Sequence, residues 1–160
     1  IEWIKVNISN WRRPAPNTIP WDTKASGLYM ICTLSKHEAE KQGFTDSLML
    51  DHEDNVAEAT GANIFFKDKN GELHTPIPDY FLDGITRRTV IQIAKSKNIK
   101  VHERKIKPDE LKNFVGCFLT GTAAEVTPVS CIAENKFKVC DIILDLNESY
   151  LALVKKKKAA

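Results

Sequence analysis

Two apolar runs, Val115 to Leu119 and Val126 to Ile132, stand on either side of Thr120-Gly121-Thr122-Ala123-Ala124, five small residues in succession. Each run reads as a buried strand, and the small residues lie between them. Without bulky side chains, that connection lets another molecule approach the backbone closely. Successive free N–H groups in such a turn form a cradle for phosphate or carboxylate, and Thr120 and Thr122 add hydroxyl donors. A plain tight turn is the ordinary alternative.

The rest of the chain supplies strands and helices in alternation. Ile4 to Ile8 reads as a strand and Trp11 to Pro16 as an irregular connection. Asn17 or Thr18 followed by Pro20 predicts a helix opening near Pro20 and stopping at Gly43. Leu48 to Leu50, Val56 and Ala62 to Lys67 read as strands, and Asp68-Lys69-Asn70-Gly71 as a hairpin turn into Leu73-His74. A second helix is predicted from Thr86 to Ser96, then a strand from Ile99 to Ile106, a short helix opened by Pro108, and a last amphipathic helix from Cys140 to Val154. There is no internal repeat and no Gly/Ser-rich linker. The sum is one α+β domain, with strands in hairpin-like succession and helices packed on them.

Composition narrows the function classes. At 160 residues the chain is long enough for one domain with its own core. With 23 basic against 21 acidic residues, nothing points to nucleic acid or an anionic membrane. No apolar run approaches a membrane span. Cys32, Cys117, Cys131 and Cys140 form no metal or disulfide pattern, which fits a reducing cytoplasm. His37, His52, His74 and His102 are far apart in sequence, so exposed or structural roles are expected and no metal. Lys155 to Lys158 reads as a solvated, frayed end. Alternation begins at once around Trp3 and Ile4, so the chain is expected to be a piece of something longer.

Three places carry candidate chemistry. Lys24 is expected on the first helix, with Ala25, Ser26 and Gly27 leaving room around it. Desolvation there would lower its pKa and yield the neutral amine that attack on a carbonyl needs. Glu58 precedes the small stretch Ala59-Thr60-Gly61-Ala62, where a flat ring can lie against backbone. Gly84-Ile85-Thr86 opens the second helix, where free N–H groups and the helix dipole favour an anion; a plain N-cap by Asp83 or Thr86 is the alternative. Arg12, Arg13 and Arg88 read as solvated, Arg87 as a supporting residue, and Asn63 as bonding loop backbone.

The string Thr120-Gly121-Thr122-Ala123-Ala124-Glu125-Val126-Thr127-Pro128-Val129 resembles the closing motif of the branched-chain amino acid aminotransferases, pyridoxal-phosphate enzymes of fold type IV. Other segments resemble the same family in the expected order: Pro16-Asn17-Thr18-Ile19-Pro20 with Lys24-Ala25, Glu58-Ala59-Thr60-Gly61-Ala62-Asn63-Ile64-Phe65, and Leu82-Asp83-Gly84-Ile85-Thr86-Arg87. The resemblance runs from about Trp11 to about Ile132. It implies the fold type IV large domain, a mixed β-sheet or pseudo-barrel with packed helices. Residues 1–160 would form a single cofactor-binding domain, without the family's smaller N-terminal domain. It also implies transamination of branched-chain L-amino acids with 2-oxoglutarate, in a cytoplasmic homodimer.

The same resemblance assigns roles to residues. Lys24 matches the cofactor-linked lysine and Tyr29 the tyrosine that bonds the cofactor's ring hydroxyl. Glu58 matches the partner of the pyridine nitrogen, and Ile85, Thr86 and Thr122 the phosphate contacts. The N–H groups of Thr122 and Ala123 match the substrate carboxylate site. Leu28 and Ala62 depart from the family, where many relatives carry Asn and Glu. D-Amino acid transaminases and aminodeoxychorismate lyases share the lysine and glutamate; Tyr29 and the Pro-Asn-Thr-Ile-Pro lead-in favour the branched-chain type. A catalytically silent domain is the alternative from another class, and a nucleic-acid binder a third.

Overall fold

The computed structural model describes residues 3–158. In chain order the elements are β1 (Ile4–Arg12), α1 (Ser26–Lys41), β2 (Asp46–Leu50), β3 (Val56–Ala59), β4 (Asn63–Lys67), β5 (Leu73–Thr75), α2 (Ile85–Ser96) and β6 (Val101–Glu103). A 3₁₀ turn (Pro108–Asn113), β7 (Gly116–Gly121), β8 (Glu125–Ile132), β9 (Asn135–Lys136) and α3 (Asp141–Lys158) complete it. The strands form one mixed sheet in the order β3-β2-β1-β8-β7-β4-β5-β6, with β9 added to β8. β3 and β4 lie apart in this order, yet a tight turn joins them, closed by Ala59 N–H donating to Ala62 O at 2.8 Å. The sheet therefore curls back on itself as a half-barrel.

Alternation along the strands divides the apolar side chains between two cores. Ile64 and Phe66 of β4, with Cys117 and Leu119 of β7, join Val6, Leu48, Val129 and Ile132 inside the curl. Phe65 and Phe118 point the other way and stack, ring centroids 5.0 Å apart. They pack with Val90, Ile91 and Ala94 of α2 and Ile143 and Leu146 of α3. Burial on both faces explains why these strands read as unbroken apolar runs.

Several boundaries differ from expectation. α1 opens at Ser26, with Ala25 as N-cap, and not near Pro20. Asn17 to Thr23 forms turns instead: the Thr18 and Thr23 hydroxyls donate to the carbonyls of Ala15 and Pro20. β1 continues to Arg12, and β6 is a three-residue strand. β1 pairs in parallel with both β2 and β8, and β5 in parallel with β6, so the succession is not hairpins throughout. α3 runs through the lysine tail, where a frayed end was expected; the side chains of residues 156–158 lie outside those described.

Candidate active site

A cavity of about 230 Å³ opens where β3 turns into β4. Its walls come from distant segments: Arg13, Lys24 and Tyr29; Glu58 and the turn Thr60-Gly61-Ala62-Asn63; Leu82 to Thr86; and Thr120-Gly121-Thr122. Strand register explains the meeting, since Asn63 of β4 pairs with Thr120 of β7. A Cβ at Gly121 would lie 3.4 Å from both Ala62 Cβ and Gly61 O, so the two small-residue stretches close on each other. Of the expected site residues, Lys24, Tyr29, Glu58, Ile85, Thr86 and Thr122 all line this cavity. Ala123 does not. It is exposed at the β7–β8 turn and borders a separate groove with Ile4 and Asn147.

Lys24 is exposed and stands two residues before α1, not on a helix. Glu58 is buried at 8% exposure, with its Oε1 3.3 Å from Nε of Arg13. Burial pushes the Glu58 carboxyl up to about 8, outweighing the downward pull of the Arg13 guanidinium. Tyr29 is raised too, first by burial and then by Glu58. Arg13 was expected in solvent and is instead 3% exposed, directing a guanidinium nitrogen at Leu28 O and Cys32 Sγ, each 3.5 Å away. Alternation along β1, continued past Arg12, was the available signal: consecutive residues of an extended chain face opposite sides. Arg12 goes out to Asp54, and Arg13 goes in.

The N-terminus of α2 forms the opposite wall. Its cap is Gly84, not Asp83 or Thr86, and no side chain caps it. The first-turn N–H groups have no intrahelical partner and are available to the cavity that Ile85 and Thr86 line. Asn63 holds this end in place, accepting from Gly84 N–H at 3.1 Å and donating to Leu82 O at 2.8 Å, as its structural reading expected. Arg87 is fully buried behind the wall, donating to Asp83, Glu103 and Pro76 O. Thr120 contributes a buried hydroxyl with no hydrogen-bond partner among the described residues. An uncapped helix end, an orphan hydroxyl and two cations suit an anionic ligand. A slot walled by Gly61, Ala62 and Gly121, with an acid at one side and a phenol and an amine nearby, suits a flat, polar ring.

Comparison with known proteins gives concordant matches. The family model for amino-transferase class IV matches residues 2–132. A probable branched-chain-amino-acid aminotransferase of Rickettsia bellii is 41% identical over 155 residues, covering 92% of this chain and 52% of that protein. The branched-chain-amino-acid aminotransferase of Escherichia coli K12 is 38% identical over 130 residues, covering 81% and 42%. Among solved structures, the branched-chain aminotransferase of Thermoproteus uzoniensis with norvaline superposes with a TM-score of 0.91 at 35% identity, covering 96% of this chain and 52% of the other. The Thermobaculum terrenum branched-chain amino acid aminotransferase in its PLP form gives 0.91 at 33% identity, covering 96% and 51%. The chain spans about half the length of the curated relatives it matches.

Proposed function

The chain belongs to the amino-transferase class IV family, and from this premise we propose that it forms the cofactor-binding half of a branched-chain amino acid aminotransferase. The complete enzyme would be a cytoplasmic homodimer exchanging amino groups between leucine, isoleucine or valine and 2-oxoglutarate. The observation that carries this reading is the convergence of Lys24, Tyr29, Glu58, Ile85, Thr86 and Thr122 on one cavity.

The donor set fits pyridoxal 5'-phosphate. When bound, that cofactor supplies the electron sink for removing a proton from the substrate's α-carbon. Lys24 would be the amine that holds the cofactor and, when free, the base that carries the α-proton. Glu58, paired with Arg13 at 3.3 Å, would serve as the partner of the ring nitrogen. Tyr29 would donate to the ring hydroxyl. The N–H groups of Ile85 and Thr86, with the Thr86 and Thr122 hydroxyls, would hold the phosphate; the Thr122 N–H would take the substrate carboxylate, aided by the Ala123 N–H only from outside the cavity wall. The small walls Gly61, Ala62 and Gly121 would leave room for a flat ring against backbone.

The test is an absorption spectrum of the protein titrated with pyridoxal phosphate, followed by L-leucine or D-alanine. A protein-bound cofactor band that shifts with L-leucine and not with D-alanine is expected. No bound cofactor band would remove the reading.

A further inference from the structure

On the sheet outside the cavity, β5 and β6 run parallel with His74 directly opposite His102. Their imidazoles stack, centroids 4.6 Å apart and planes 14° apart. Glu72, two residues before His74 and so on the same face, approaches His102 Nε2 through Oε2 at 2.6 Å. His74 Nε2 lies 3.1 Å from Asp68 Oδ2, and Arg104 Nε donates to His74 Nδ1 at 3.2 Å. A guanidinium only donates, so Nδ1 carries the lone pair and Nε2 carries the proton toward Asp68. One ligand atom each from Glu72, His74 and His102 lies within 4.8 Å of the others, all three residues half-buried. Sequence distance hid this pair of histidines; strand pairing brings it together.

We propose that Glu72, His74 and His102 form a binding site for a divalent transition-metal ion such as zinc, separate from the catalytic cavity. Two imidazoles and a carboxylate are a donor set that zinc accepts, with water in the fourth position. Ligand atoms around a four-coordinate zinc stand about 3.3 Å apart, so Glu72 Oε2 and His102 Nε2, now 2.6 Å apart, must part slightly while the His74 nitrogen moves in from within 4.8 Å. One ring turns about its Cβ–Cγ bond, because near-parallel rings cannot aim both lone pairs at one ion. Arg104 must release His74 through whichever nitrogen it binds: at Nδ1 it occupies the lone pair, and ligation at Nε2 moves the ring proton to Nδ1. Arg104 keeps Glu110 Oε2 at 2.7 Å and Lys105 O at 2.9 Å when it lets go. Lys100, 3.4 Å from Glu72 Oε1, is the second cation an incoming ion meets.

Calorimetric titration of the untagged chain with zinc chloride tests the site, with cobalt(II) absorption identifying the ligands. One ion per chain is expected, with visible cobalt bands and no thiolate charge-transfer band. His102→Phe keeps a stacked ring without a lone pair and should weaken binding at least tenfold. Arg104→Gln removes the competing cation and should tighten it. Thermal melting without metal checks that each variant is folded. No zinc heat in the parent chain, unchanged affinity in the His74→Phe/His102→Phe variant, or a thiolate band would each overturn the proposal.

Discussion

A methyl group at position 84 would fall far inside contact distance of Asn63 Oδ1. Gly84→Ala must therefore push Asn63 off the helix end or tilt α2, and it should weaken pyridoxal phosphate binding tenfold or more, measured by spectrophotometric titration. Glu58 makes a prediction about pH. Its carboxyl is pushed up to about 8 in the folded chain, against a usual value of 4.5. Between those limits the folded state holds a proton that the unfolded state has lost, so stability falls as pH rises through that window. At about 1.36 kcal/mol per unit the ceiling is several kcal/mol, and Glu58→Gln should flatten the slope. Denaturant melts of the cofactor-free chain at pH 5, 6.5 and 8 would show this. Other carboxylates act in the opposite sense and only at lower pH. For Asp68 the cost of burial is outweighed by hydrogen bonds from His74 and from the Glu72 and Asn70 N–H groups. Glu72 and Glu110 are held low by hydrogen bonds from His102 and Arg104 against that same cost. Lys24 is tested by borohydride reduction of the cofactor-loaded chain: peptide mapping should find the label on Lys24, and a label confined to the tail lysines would contradict its role.

Among the elements, those legible in the sequence were the ones with strong local patterns. The apolar runs of β4, β7 and β8, the α2 boundary at Ser96 and the turn at Gly71 all follow from neighbouring residues. What escaped was set by distant pairing. Nothing local says that β1 lies between β2 and β8, or that the Asn17–Thr23 segment spends its capping residues on turns. The candidate site was legible because its motifs are local strings; Arg13 was missed because Trp11 to Pro16 read as an irregular connection, which hid the alternation that turns it inward. Arg87 ties the elements together, reaching Asp83 before α2, Glu103 on β6 and Pro76 O after β5. Arg87→Met should cost about 2–3 kcal/mol, because the bonds are charge-assisted and the Pro76 carbonyl is left without its donor. Glu103→Gln should cost under about 1 kcal/mol, since that carboxylate is 44% exposed. Paired urea denaturation curves decide whether the asymmetry holds.

For the whole molecule, the exposure of the site matters most. Ile85 is 76% exposed at the cavity wall, and Lys24 is exposed as well. Water reaches both positions, which weakens positioning for the chemistry. The chain alone should therefore bind cofactor weakly and turn over slowly. Co-expression with the N-terminal half of the Rickettsia bellii relative should raise turnover of leucine, isoleucine and valine with 2-oxoglutarate by powers of ten. Equal turnover with and without it would mean that this chain suffices by itself. The pairing of β1 with β8 has a further consequence, in time. Ser130 Oγ donates to Ile4 O across 126 positions of sequence, and the two strands lie side by side at the centre of the sheet. During synthesis β1 can pair early with β2 along one edge, but its other edge stays unpaired until β8 has been made. Closing so long a loop precedes the contacts that reward it, which makes folding slow and leaves β1 open to the wrong neighbours meanwhile. Refolding should accordingly be limited by the joining of these two distant strands, with the cofactor cavity appearing only after that step.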